Sequence, residues 1–433
     1  MFTDRKIILF GLMALLLASV GFVQSWDVAL GIVNLCLISA IMALGVNIQW
    51  GYAGLFNVGV MGFAAIGGLA GVLVATPPVA AAWAAGGAGI FLSGVTASLT
   101  IVAVWLATRW RYRFRSAVVA FVILTGFLVT RTLYDPAVDA IESVDSARTG
   151  FLGGLGLPII LSWAVGGLLA AGAAWIVGKV ALGLRSDYLA IATLGISEII
   201  VAIIKNEDWL SRGVKNVSGL PRPVPYEVDL QQAGWFRSLA ETLGTTPIDL
   251  SSITVKLCYA TLFVLVLLII LWLSERALRS PWGRMMRAIR DNEVAAGAMG
   301  KDVTRRHLEV FVLGSAVIGV AGAMLTTLDG QLTPASYQPL RFTFLIWVMV
   351  IVGGSGNNWG AILGGFVIWF FWIESEPIGL WLINVLTSGL APDNPIRTHL
   401  LDSAAHMRLM TMGLILLLVL RFTPRGLIPE ETR

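Results

Sequence analysis

The side chains able to do chemistry are few in this chain, and their spacing disarms most of them. His307, His399 and His406 are its histidines. None belongs to an H-E-x-x-H pair that would set two imidazoles on one helix face for zinc, and no serine-histidine constellation accompanies them. A nucleotide-binding loop needs G-x-x-x-x-G-K-[ST], so that backbone amides cradle the phosphates and a hydroxyl holds magnesium. The nearest approach, Gly172 to Val180, has one residue too many before Gly178-Lys179 and ends on Val180, and Gly300-Lys301-Asp302 fails as well. The chain is therefore expected to hold no catalytic residue and no metal, and not to hydrolyse ATP itself. Cys36 and Cys258 lie in apolar runs and read as small core residues rather than a disulfide or metal pair. Three features are left: Glu198 inside the apolar run Leu194 to Ile200, the amides Asn47, Gln49 and Asn57 among glycines, and one densely basic segment.

These features are positioned by a chain that water cannot solvate. Of 433 residues, 57% are apolar and 13% charged, against about a quarter charged in ordinary soluble domains. Lipid must be the main solvent, and the 47 Gly and 16 Trp fit helices that approach closely and rings that sit at headgroup level. A helix needs ~20 apolar residues to cross the hydrocarbon. Apolar runs begin at 7 to 23, read as a retained anchor because no A-x-A site follows it, and recur at 28–46, 57–75, 86–107, 116–133, 157–178, 187–204, 255–274, 308–328, 342–353, 359–373 and 408–420. The expectation is an all-α polytopic membrane protein, a single domain over 1–433 with 10 to 12 spans. The run 342–353 is too short to span alone, and Gly353-Gly-Ser-Gly-Asn-Asn-Trp-Gly360 interrupts it. The stretch 342–373 is expected to be a re-entrant pair or one broken helix.

Alternating the spans from an inside N-terminus puts Arg109, Arg111, Arg113, Arg115, Lys179, Arg185, Arg421, Arg425 and the whole 275–307 loop on the cytoplasmic side, with the C-terminus. It leaves Asp135, Asp139, Glu142 and Asp145 outside, together with the mixed-charge, proline-containing 205–254 loop, which suits a docking surface. The net charge of +4 thus speaks of orientation in a bilayer, including contact with lipid, rather than of nucleic acid.

Unwound backbone at Asn47 to Gly59 is tolerated at membrane depth only when buried in protein or lining a wet cavity. Asn47, Gln49 and Asn57 are therefore either part of a solute pathway or interhelical hydrogen-bond partners at a glycine-rich crossing. Gly353, Gly354, Asn357 and Asn358 are expected to lie beside the same pathway. Gly67-x-x-x-Gly71 and Gly360-x-x-x-Gly364 are patterns for close packing. Glu198 reads either as a proton or cation site or as an acid near the outer end of its helix, hydrogen-bonded to a neighbouring span. Asp27 and Glu374 fall at the ends of their runs and are expected to be wet. The lack of a ladder of intramembrane charges argues against a self-sufficient, ion-coupled carrier.

The basic segment is the sharpest signal. From Arg276 to Arg306 it carries eight basic residues against Glu275, Asp291, Glu293 and Asp302. Ser280-Pro281 punctuates a helix end, and Arg284 to Ile289 fits an amphipathic helix with Arg284 and Arg287 on its polar face. Arg290 follows, and then Glu293-Val-Ala-Ala-Gly-Ala-Met-Gly300, whose tiny residues include Ala295 and Ala296, leads to Lys301. Such a stretch suits either another protein's groove or an anionic lipid surface.

Glu293-x-Ala-Ala-x-x-x-Gly300 resembles the EAA-type coupling loop of ABC importer permeases. Taken with Asn47 to Gly68, Leu184 to Glu198, Ser218-Gly219-Leu220, Gly314 to Leu325, Val350 to Gly365 and Arg421-Phe-Thr-Pro-Arg-Gly-Leu427, the chain resembles the LivM-type permeases of branched-chain amino-acid ABC importers, over residues 40–75 and 160–430. The resemblance implies an inner-membrane permease forming half of a translocation pathway with a LivH-like second permease. It also implies two ATP-binding subunits that carry ATP and Mg, and a periplasmic substrate-binding protein. Residues 284–301 would couple to the ATPases. Relatives of this kind also serve urea, short amides and other small polar solutes. Where the family carries Ser-Leu-Gly-His this chain has Asn57-Val-Gly-Val60, a departure that bears on substrate. Residues 79–156 look like two inserted spans.

Overall fold

The computed structural model describes residues 2–109, 114–145, 149–389, 391 and 394–430, with side chains from Arg5 onward. Arg111 and Arg113, placed above on the cytoplasmic side, lie outside the described residues. In chain order the helices are α1 Phe2–Val23, α2 Trp26–Val46, α3 Val60–Ala75, α4 Ala80–Ala82, α5 Ala88–Arg109, α6 Arg115–Ser143, α7 Ile160–Ala181, α8 Ser186–Asn206, α9 Asp208–Ser211, α10 Glu227–Gln232, α11 Gly234–Thr242, α12 Pro247–Arg279, α13 Pro281–Asp291, α14 Glu293–Ala298, α15 Val303–Asp329, α16 Pro339–Gly353, α17 Asn358–Leu386, α18 Pro395–Asp402 and α19 Met407–Phe422. Among the described residues ten helical stretches are long and apolar enough to cross a bilayer, with α3 and α16 as shorter apolar helices. The chain is an all-α, multi-pass membrane protein, as its composition requires.

Local chemistry sets the helix ends. Thr246 caps α12 by accepting from Asp249 N at 3.1 Å, with Pro247 in the first turn. Asp302 caps α15 through Arg305 N at 3.0 Å, and Gly330, at φ 64°, ends it. α15 sits at the centre, packed on α7, α3 and α2. Its far end leads into Gln331–Leu332, a strand pairing antiparallel with Val217–Ser218 of the 205–254 segment, which otherwise folds as the short helices α9 to α11.

α5 and α6 form a hairpin packed mainly on itself, through Thr96 and Thr130 hydroxyls 3.1 Å apart. It meets the bundle at the 205–254 end, where Tyr134 OH donates to Glu207, and Trp209 Nε1 donates to Tyr134 OH at 2.8 Å and to Glu207 Oε2 at 2.7 Å. α6 outruns the apolar stretch read from sequence because Arg131 and Asp135, at 2.7 Å, pair along its surface.

Residues 342–373 are not one broken helix. α16 and α17 are separate helices joined by a tight turn, and α17 runs on to Leu386. Glu374, expected to be wet at a run's end, is instead buried, and Gln24 Nε2 donates to it at 2.7 Å. That partner lets an acid sit inside the helix where hydropathy alone would have stopped it. Asp27 is half-exposed and pairs with Lys256 at 2.7 Å.

Candidate functional site

α2 ends in a π-turn at Asn47–Gly51, a wide turn that throws side chains and carbonyls out of the helical register. Irregular backbone follows to Gly59, and the amide side chains of the break find partners within it and on other elements. Asn47 Nδ2 donates to Asn358 Oδ1 at 3.1 Å, and Asn47 Oδ1 accepts from Gly356 N at 2.9 Å. Gln49 Nε2 donates to Phe311 O and Ser315 Oγ on α15 at 2.9 and 3.0 Å, while its Oε1 accepts from Asn57 Nδ2 at 2.9 Å. Asn57 Oδ1 accepts from Gly59 N, and Trp347 Nε1 on α16 donates to Asn57 O at 3.0 Å. Asn47, Gln49, Asn57 and Asn358 are all buried. The interhelical reading of these amides describes their geometry: they join α2, α15, α16 and α17 in one hydrogen-bonded node.

The glycine turn between α16 and α17 belongs to the same node. Asn357 caps α17 through Trp359 N and Gly360 N and donates to Pro429 O at 3.0 Å. Asn358 Nδ2 donates to Glu275 Oε1 at the end of α12. Gly353 O and Val352 O accept from Ile428 N and Leu427 N, so the C-terminal segment is clamped along the turn. Gly354 takes φ 115°, and a Cβ there would lie 2.3 Å from Ile428 O, so glycine is required.

The basic segment folds as two helices. α13 buries Gly283, Met286 and Ile289 and turns Arg284 outward, the amphipathic pattern read from sequence. Arg287 is half-buried, with Nη2 3.4 Å from Leu278 O. Arg290 donates to Gly51 O in the π-turn and pairs with Glu430 at 3.0 Å and Asp291 at 3.3 Å. Burial alone would discourage its charge, yet these two carboxylates raise the guanidinium above its ordinary pKa. Beyond Asn292, which caps α14 through Ala295 N, most of α14 is exposed. Glu293, Ala295, Gly300 and Lys301 are exposed, Ala296 is half-buried, and Gly300 at φ 77° closes the helix. Val294 and Met299 stand 83% and 81% exposed. Sequence reasoning passed over these two because they sit among small residues. A cleft of about 640 Å3, lined by Arg185, Asp187, Tyr188 and Glu293 among others, lies between α14 and the start of α8.

Glu198 is not part of the node. It lies past the middle of α8, exposed, with no hydrogen bond or ion pair among the described residues, so the expectation of a partner on a neighbouring span is corrected. Tyr188, Ile191, Gly195, Ile199 and Ala202 are exposed on the same helix.

Gln49→Leu tests whether the node is structural. The change strands the buried Asn57 amide, at about 1–3 kcal/mol. The purified protein is expected to melt several degrees lower, and an unchanged melting temperature would show that the node contributes nothing.

The chain is thus a multi-pass helical bundle in which a buried polar node is tied to α13 and, through it, to the largely exposed α14. The chain belongs to the family described as "Branched-chain amino acid transport system / permease component", whose pattern matches residues 116–420 and so takes in α6 but not α5. It is similar to the "High-affinity branched-chain amino acid transport system permease protein LivM" of Escherichia coli, 29% identical over 213 residues, covering 47% of this chain and 48% of that protein. The match thus spans about half of that relative's length. The "Probable branched-chain amino acid transport permease protein LivM" of Methanocaldococcus jannaschii is 26% identical over 307 residues, 71% of this chain and 77% of that one. The "Probable branched-chain amino acid transport permease protein LivH" of the same organism is 33% identical over 110 residues, 25% of this chain and 34% of its own. No solved structure matches the chain.

Proposed function

We propose that this chain is the permease subunit of an ATP-driven importer for branched-chain or other hydrophobic amino acids. It would form half of the translocation pathway in a bacterial inner membrane, with both termini and the 275–307 segment in the cytoplasm. A LivH-like second permease would form the other half. Two ATP-binding subunits would carry ATP and Mg, and a periplasmic binding protein would deliver solute to the 205–254 face. The 79–156 hairpin would be an added, lipid-facing unit.

The observation that carries this reading is the continuity from α14 to the node. α14 leans on the core through half-buried Ala296 and leaves Val294 and Met299 offered to a groove and Glu293 and Lys301 offered to its charges. Whatever moves α14 moves α13, and Arg290 passes that motion to the π-turn of α2. Asn47, Gln49, Asn57, Asn357 and Asn358, with Gly353 and Gly354, would then close the cytoplasmic end of the pathway and come apart when it opens, a discrete two-arrangement element. The exposed face of α8 fits the same scheme. A charged carboxylate facing lipid at a helix centre costs about 2.5–3.5 kcal/mol on insertion scales, so Glu198 is better placed against the second permease or the solute path.

Proteoliposomes holding this chain with its partner subunits and binding protein should take up leucine only with ATP. Glu293→Lys reverses an exposed charge worth up to about 1 kcal/mol per pair, and uptake should fall about fivefold while the binding protein's affinity for leucine stays the same. Uptake without ATP or partners would point instead to a self-sufficient carrier, and unchanged uptake by the variant would remove α14 from coupling.

A further inference from the structure

A cavity of about 220 Å3 lies between the node and the 205–254 end of the bundle, walled by α2, α3, α15, α16 and α17. Its longest walls run from Leu35 to Met42 on α2 and from Phe342 to Met349 on α16, a depth of about 10 Å at ~1.5 Å per residue. At ~30 Å3 per water the space equals roughly seven waters, and it falls below the ~300–1,000 Å3 of drug-sized ligand sites. One small, elongated molecule fills it.

Chain direction orders the walls. α15 ends at Asp329, and after Gly330 the chain turns back through Ser336 to Phe342 near the start of α16, so these three form the mouth. Met42 near the end of α2, Met61 at the start of α3 and Met349 near the end of α16 form the floor, on the node side. Thioether side chains are adaptable and fill in around apolar tails of differing shape. Asp329 is the one charged residue among the walls, and it is exposed and takes no hydrogen bond or ion pair among the described residues. The Ser336 hydroxyl beside it is unpaired among them as well. Phe342 and Trp369 hold their rings 6.5 Å apart at 38°. Between mouth and floor, the Ser39 hydroxyl and the buried Trp369 Nε1–H find no partner among the described residues, which leaves room for one neutral oxygen on an otherwise apolar ligand. Arg341 does not line the cavity: its guanidinium lies 5.6 Å from the ring of Phe342 and 5.0 Å from that of Trp372.

We propose that this cavity binds a primary amine with a short aliphatic body. The ammonium donates to the Asp329 carboxylate and the Ser336 hydroxyl at the mouth, beside the ring of Phe342, and the body lies between α2 and α16 with its end on the three methionines. An ammonium has three donors and no acceptor, which suits a carboxylate and a hydroxyl left open together, and an aromatic face adds attraction for a cation. With a negative and no positive residue among the walls, an anion is repelled, and a zwitterion would bring its carboxylate up to Asp329. The site does not rest on the importer reading, and its ligand is not the solute proposed above.

The test is titration calorimetry of hexylamine into the purified full chain in lipid nanodiscs at about pH 8, where carboxylate and ammonium are both charged, with empty nanodiscs as the blank for partition into lipid. Wild type should bind saturably. Hexanol, which keeps the tail and loses the charge, and hexanoate, which reverses it, should bind at least about tenfold more weakly, as expected for losing a charged hydrogen bond. Leucine should also bind more weakly than hexylamine. Asp329→Asn, at an exposed position, should weaken hexylamine by a factor like that for hexanol with unchanged melting temperature, and Ile346→Trp, which fills the cavity, should abolish binding. Arg341→Gln removes a neighbouring positive charge and should leave the amine bound as tightly or more so. No saturable heat beyond that of empty nanodiscs, equal binding of hexanol, full binding by Asp329→Asn or loss of binding in Arg341→Gln overturns the site. So does tighter binding of leucine or hexanoate than of hexylamine, which would make it a zwitterion or anion site. If the reconstituted complex imports leucine while the chain binds no amine, the pocket fails and the importer stands. If the complex imports no amino acid but the chain binds hexylamine as described, the importer fails and the pocket stands.

Discussion

Gly67→Leu should leave little or no folded protein, whereas Gly172→Leu should fold as wild type. A Cβ on Gly67 of α3 would lie 1.9 Å from Gly319 O of α15. Next to it, a Cβ on Gly322 would lie 2.0 Å from Ala64 O, one on Gly319 2.5 Å from Gly166 O, and one on Gly166 3.0 Å from Gly67 O. Three helices thus meet backbone to backbone at one level, as membrane helices do when dispersion and close approach replace the hydrophobic effect between them. A flexible side chain can rotate away from an intruding group, but a carbonyl fixed in a helix cannot. Overpacking an ordinary core costs about 1–3 kcal/mol. Here α3 and α15 must separate, so the loss should reach a large part of a typical ~5–15 kcal/mol stability. Gly172, on α7 with nothing within 4 Å of its would-be Cβ, controls for helix propensity and expression. The measurement is size-exclusion behaviour and thermal unfolding of both variants in detergent. Gly67→Leu eluting and melting like wild type would mean that these helices are not packed as described.

The same glycines mark how far the sequence could be read. The Gly67-x-x-x-Gly71 pattern pointed to close packing on the correct helix, but its second glycine meets side chains, those of Thr326 and Leu220, while the tight contacts run from Gly67 to Gly319 on a helix far along the chain. Gly360-x-x-x-Gly364 did better: these residues pack on the carbonyls of Gly353 and Met349 across a short turn, where sequence neighbours are also neighbours in space. Spans were legible because lipid enforces length and hydropathy. Their limits were not legible where an acid found a partner, as Glu374 did in Gln24. The polar node was legible as a set of suspicious amides but not as a network, since Asn47 and Asn358 are separated by most of the chain.

Replacing Arg290 with alanine should uncouple the machine without dismantling it. Arg290 is the residue through which α13 touches the π-turn and the C-terminal segment at once, by donating to Gly51 O and pairing with Glu430. Glu430 in turn lies against the 354–357 turn, where a Cβ on Gly356 would be 2.9 Å from its carboxylate, and Gly356 N donates to Asn47. Alanine removes the link from α13 to the π-turn and strands a carbonyl and a carboxylate. Charged hydrogen bonds of this kind are worth about 1.5–3 kcal/mol each, so transport should fall tenfold or more, with a melting temperature a few degrees lower. α14 keeps its capping by Asn292 and its exposed Val294 and Met299, so under the proposed importer reading the ATP-binding subunits should still assemble and hydrolyse ATP. Lysine should restore only part of the transport, because a single ammonium cannot hold the planar set of acceptors that a guanidinium does. Glu430→Ala should add little to the defect of Arg290→Ala, since both break one connection. The decisive comparison is leucine uptake against ATP hydrolysis in the same reconstituted preparation. Loss of both together would mark Arg290 as an assembly residue, and loss of neither would mean that motion of the 280–300 helices reaches the hinge by another route, leaving only loss of uptake with ATP hydrolysis retained to place Arg290 in the coupling path.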